Sequence, residues 1–253
     1  MTSRSPRRTS GWTDTDGNAN RSFPYPVRRT MIEPMRSSIA LAAPFLLLVP
    51  VAFGVAFVAG GHDPIPTALG AGAAGWLLAL VLRGPVGLIA MRSTEDQERA
   101  QTVVAASSGP LEELVRLGAV TVVGRDLGTA LWLGLGWAAI EVLYSIVNGF
   151  AMAALAERDD PEAERARSML PEVAFTKSGP WWGVVERIWA SALHIGLTLV
   201  VAAAPFAVLA TAPLHSAVNL GFLRLLRSWR IGAVYLAGTV VAAAVMAIGL
   251  SLH

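Results

Sequence analysis

Apolar residues in this chain gather into runs of about twenty or more, the length a helix needs to cross about 30 Å of hydrocarbon. Seven such segments can be read, at about 37–59, 65–91, 101–123, 127–154, 181–203, 205–223 and 231–252. A bend is expected in the second, at Arg83-Gly84-Pro85. Trp181 and Trp182 open the fifth, where an interfacial aromatic belt belongs. No internal repeat stands out. The pattern predicts an all-α fold: a polytopic membrane helix bundle of about seven transmembrane helices over residues 37–253. Residues 1–36 are rich in Arg, Ser, Thr, Pro and Asn and show no apolar period, so they read as a disordered basic N-terminal tail. The run that follows has no short apolar core ending in a small-residue cleavage site, and it reads as a retained span.

Composition agrees with this pattern. The chain has 253 residues, of which 54% are hydrophobic and 15% charged, and its mean hydropathy is +0.53. Soluble domains carry roughly 25% charged residues. There is no cysteine, which excludes disulfides, iron–sulfur clusters and thiolate zinc sites. Nucleic acid is not an expected partner, because the dense basic stretch is confined to the tail.

The placement of charge predicts the orientation. With the N-terminus cytoplasmic, one side holds the tail arginines, Arg92, Arg99, Arg158, Arg165, Arg167, Lys177, Arg224, Arg227 and Arg230, and the other holds Arg125. That is the positive-inside bias, and it predicts N-in, C-out in the cell membrane. The 157–180 stretch is then the sizeable cytoplasmic connection.

Against this background the charges inside spans stand out, since each costs about 2.5–3.5 kcal/mol at the bilayer centre. The third span carries Glu112, Glu113 and Arg116. The fourth carries Glu141, the fifth Glu186, Arg187 and His194, and the sixth His215 and Asn219. Glu113, Glu141, His194 and His215 each lie about ten to fifteen residues from a span end. At about 1.5 Å per residue they come near one level. Glu112 and Arg116 share a helix face, as do His215 and Asn219. A common polar cavity near the midplane is the simplest shelter for such groups. Ion pairing between helices is the plainer account of the Glu–Arg pairs. Ser107-Ser108 and Gly109-Pro110 suggest a break in the third span, just before Glu112.

Carboxylates beside histidines in a restricted cavity suit the activation of water, with histidine and asparagine as donors to an oxyanion. Two histidines and a carboxylate can alternatively hold zinc with one open position, although the HExxH signature is absent.

Four ordered motifs carry a resemblance: Glu112-Glu113-Leu114-Val115-Arg116; Gly134 to Glu141; Glu186-Arg187 to His194; and His215 to Asn219. Together they resemble the YhfC family of intramembrane proteases, itself similar to the CAAX-protease and bacteriocin-processing membrane group. The resemblance covers about residues 106–219. It implies proteolysis of a membrane protein or peptide substrate, with Glu113 or Glu112 as the water-activating base. It further implies His194 and His215 as oxyanion donors or metal ligands and Asn219 as a supporting donor, with zinc or no metal as the cofactor. Where that family tends to carry histidine, this chain has Trp137. Two other classes remain open: a small proton-coupled transporter, and a catalytically inactive membrane binding protein.

Overall fold

The computed structural model describes residues 25–94, 96–156, 158, 160, 163, 180–228 and 230–253. Among them it forms seven α-helices and no strand. These are α1 (Tyr25–Ala59), α2 (Pro66–Ser93), α3 (Gln97–Val123), α4 (Leu127–Ala156), α5 (Pro180–Ala203), α6 (Val208–Ser228) and α7 (Ile231–Ser251), with a 3-10 turn at Pro205–Ala207 leading into α6. Five of them, α1, α2, α4, α5 and α7, are long and apolar enough to cross a membrane. Helices α3 and α6 carry more polar residues and pack against each other.

Two local expectations change. Helix α1 begins at Tyr25, so residues 25–36 of the expected tail are helical. Extending a formed helix adds one hydrogen bond per residue without a new nucleation cost. Residues 1–24 of that tail, and most of the 157–180 connection, lie outside the described residues. The expected break in α3 is absent, because the helix runs through Gly109-Pro110. Pro110 has no N–H to give to the Ala106 carbonyl four residues back. Ser216 of α6 replaces it, its hydroxyl donating to that oxygen at 2.7 Å. Gly109 permits the approach, since a Cβ there would collide with the Ala212 carbonyl oxygen and the Ser216 hydroxyl.

Helices α4 and α5 form the centre. In their most apolar windows 61% of residues are buried, against 17–22% in α1, α2 and α7. The outer helices turn Leu41, Val55, Val81, Ile89, Leu236 and Val240 outward, an apolar surface matched to lipid rather than water. One glycine, Gly134, lets α4 and α5 approach closely. Gly134 faces Ile195 so closely that a Cβ would lie 2.8 Å from its Cα. Around it Leu131, Leu133, Leu135, Ile195, Leu199 and Val201 form the largest buried cluster. Just before α4, Asp126 accepts a hydrogen bond from the Thr129 amide at 3.0 Å, an N-cap contact. Hydrogen bonds from Thr129 hold the Asp126 carboxyl below its usual range.

Candidate active site

Beyond the dry cluster, α4 and α5 line a cavity of about 630 Å³. It is also lined by α2, α3 and α6, and it reaches Met91, Ala100 and Gln101 beside the α2–α3 connection. Glu112, Glu141, Glu186, Arg187, His194, His215 and Asn219 all line it, so seven of the nine polar residues singled out in the spans meet in one place. The other two, Glu113 and Arg116, lie behind the wall. Both are fully buried.

Helix α3 supplies the anchor. Arg116 Nε donates to Glu113 Oε1 at 3.1 Å. Its Nη1 donates to the His194 carbonyl at 3.1 Å and to the Thr198 hydroxyl at 2.6 Å. Its Nη2 lies 3.1 Å from His194 Nδ1. Its guanidinium stacks 4.3 Å from the ring centre of Trp137. Arg116 thus ties α3 to α4 and α5. The shared helix face of Glu112 and Arg116 does not become a pair, because Arg116 reaches Glu113 and Glu112 turns to Arg83.

The partners fix the proton on His194. Arginine only donates, so Nδ1 must accept. The ring proton therefore sits on Nε2, which lies 2.6 Å from Glu141 Oε2. Glu141 Oε1 accepts from Arg187 Nη1 at 2.8 Å, and Arg187 Nη2 pairs with Glu186.

His215 is held from the other side. Its Nδ1 lies 2.9 Å from Glu113 Oε1, a carboxylate that can only accept there, which leaves Nε2 facing Glu112 Oε2 at 3.7 Å. The two imidazole rings stand edge to face at 5.2 Å between centres. Asn219 Nδ2 donates to the Ser108 hydroxyl at 2.7 Å.

Glu112 is oriented by two residues outside the expected set. Trp137 Nε1 donates to its Oε2 at 3.2 Å, and Arg83 Nη2 lies 3.2 Å from its Oε1. Trp137 therefore does more than fill space: it positions a carboxylate. Arg83 was legible as a charge within an apolar run, yet the adjoining Gly84-Pro85 drew the reading towards a bend. Thr198 gave no signal, because threonine is unremarkable in a helix until an arginine reaches it.

Ligand atoms of Glu112, His194 and His215 lie within 4.8 Å of one another, near enough for one ion. The donor chemistry does not fit a three-ligand metal centre. His194 accepts from Arg116 through one nitrogen and is protonated towards Glu141 on the other, so it has no lone pair to offer. Only Glu112 and His215 Nε2 remain, and structural or catalytic zinc takes at least three protein ligands.

The charged set is nearly balanced. Glu112, Glu113, Glu141 and Glu186 face Arg83, Arg116 and Arg187. Buried charge is tolerated only when compensated in this way. No family model, curated protein or solved structure matches the chain.

Proposed function

We propose that this chain is a seven-span, N-in, C-out membrane protein that hydrolyses peptide bonds inside the bilayer, using a water held between Glu112 and His215. The observation that carries the reading is the layered acid–imidazole pair. His215 presents Nε2 to the cavity while the fully buried Glu113 holds its Nδ1 from behind at 2.9 Å. A carboxylate behind an imidazole fixes the ring and supports its charge while the other nitrogen works.

On this reading Glu112 is the base and Glu113 the positioning residue. Glu112 faces the cavity and Glu113 does not. Glu112 takes a proton from water as the water oxygen bonds to the carbonyl carbon. His215 Nε2 holds the water by a hydrogen bond. When the C–N bond breaks, the proton on Glu112 passes to the departing nitrogen, giving a carboxylic acid and an amine, and the acid's proton then moves to the amine to leave carboxylate and ammonium products. Asn219 and the Glu141–His194 pair shape the cavity wall. No step requires a metal.

The positive-inside bias supports the orientation. It puts the end of the cavity lined by Met91 and Gln101 on the cytoplasmic side. Carriers of this kind are commonly built from internal repeats, and none stands out in this chain. Hydrolysis is therefore the better reading.

Purified protein in detergent, incubated with fluorescein-labelled casein and with a set of hydrophobic peptides, is expected to release fragments. Glu112→Gln and His215→Ala should abolish release while leaving the melting temperature within a few degrees, and a chelator should have no effect. Equal cleavage by both variants and the unmodified chain would sink the assignment.

A further inference from the structure

Arg83 is the cation at this cavity with hydrogen-bonding capacity to spare. It stands on α2, outside every motif discussed above. Among the described residues its Nη2 pairs with Glu112, its Nε is buried with no partner, and no partner is formed by Nη1. Arg116 contrasts with it, since all three of its nitrogens are engaged. Both terminal nitrogens of Arg187 are likewise engaged, by Glu141, Ser145 and Glu186.

Position matters as much as capacity. Arg83 lines the cavity and touches the very carboxylate that faces the proposed water. Any carbonyl attacked by a water on Glu112 must come within a few ångströms of this guanidinium. His194 cannot serve the negative oxygen, because its single ring proton is directed to Glu141. His215 Nε2 is turned to the water. A donor fork beside the base, partly unsatisfied and sheltered from solvent, is the arrangement that stabilises charge developing on oxygen.

We propose that Arg83 is a catalytic residue, the donor that holds the oxyanion of the tetrahedral intermediate. This rests on the hydrolytic reading. As the water oxygen bonds to the carbonyl carbon, the carbonyl π electrons move onto oxygen, and Arg83 N–H groups donate to it. When that oxygen re-forms its double bond, the C–N bond breaks and the amine leaves with the proton from Glu112. Arg83 itself neither gains nor loses a proton.

Steady-state cleavage of fluorescein-labelled casein provides the test, with the melting temperature of each variant followed in parallel. Arg83→Gln should lower kcat by about 10²–10³-fold with KM little changed, as loss of one oxyanion donor does. Arg83→Lys should fall between, because it keeps the charge but loses the planar fork. Arg83→Ala should regain at least part of its rate when guanidinium ion is added at non-denaturing concentration. A merely structural arginine would give neither the kcat-only loss nor the rescue. Full kcat in Arg83→Gln while Glu112→Gln is inactive overturns the role of Arg83 and leaves the hydrolytic reading intact. A rise in KM alone, or a loss that guanidinium does not restore, also overturns it. Absence of cleavage by the unmodified chain overturns both.

Discussion

The two halves of the α4–α5 pair hold together by opposite means. In one half, the close approach of Gly134 to Ile195 brings backbones together around Leu133, Ile195 and Leu199. In the other, the same helices are joined by Arg116, Glu141, His194 and Arg187 across a cavity. In lipid, apolar side chains gain little from leaving one lipid-like medium for another, so close packing has to supply helix association. The dry half exploits that. The polar half relies on charge pairing whose components would be prohibitively costly alone. The comparison teaches that a rigid, closely packed end lets the other end retain an open, charged space.

Breaking the polar half at its anchor should have the largest effect. Arg116→Ala leaves Glu113 buried without its cation, and a cost of about 3–5 kcal/mol is expected in detergent unfolding. Arg116→Met with Glu113→Leu should cost much less than Arg116→Ala alone, because no charge is then orphaned. Equal losses would show that Arg116 acts through packing.

Disturbing the dry half should come next. Gly136→Ala would drive a Cβ into the Leu69 carbonyl oxygen of α2, and overpacking of this kind costs about 1–3 kcal/mol. Gly183→Ala, where a Cβ meets nothing within 4 Å, should be neutral or slightly stabilising. If both behave alike, close backbone approach is not what binds α2 to α4.

The smallest effect belongs to the connection outside both halves. Asp126→Ala removes the cap of α4 and should cost about 1 kcal/mol. Its carboxyl is held below the usual range by Thr129. Its contribution is therefore present above the ordinary aspartate pKa and is lost as pH falls through the lowered folded value. Unfolding followed from neutral to acidic pH should show the gap between Asp126→Ala and the unmodified chain closing at the acid end.

Much of this division was visible along the chain. Each expected apolar segment has a matching helix whose bounds differ by a few residues, apart from the long start of α1, because a hydrocarbon-length apolar run admits few other structures. The agreement in depth of Glu113, Glu141, His194 and His215 also pointed correctly to one locality. Pairing was less legible. Helical spacing suggested Glu112 with Arg116, whereas Glu113 takes that arginine, since an i, i+3 pair satisfies the same spacing rule. The proline in α3 looked like a break because the hydroxyl that replaces its missing donor comes from Ser216, on a distant stretch of chain.

Sequence alone determined the helices and the roster of costly charges, since both follow from local composition and from the penalty of placing polar groups in hydrocarbon. Only tertiary structure decided which carboxylate faces the cavity, where the proton on His194 lies, and that Arg83 and Trp137 belong to the site. Those outcomes depend on rotation and contact between helices distant in the chain, and hydropathy is blind to both.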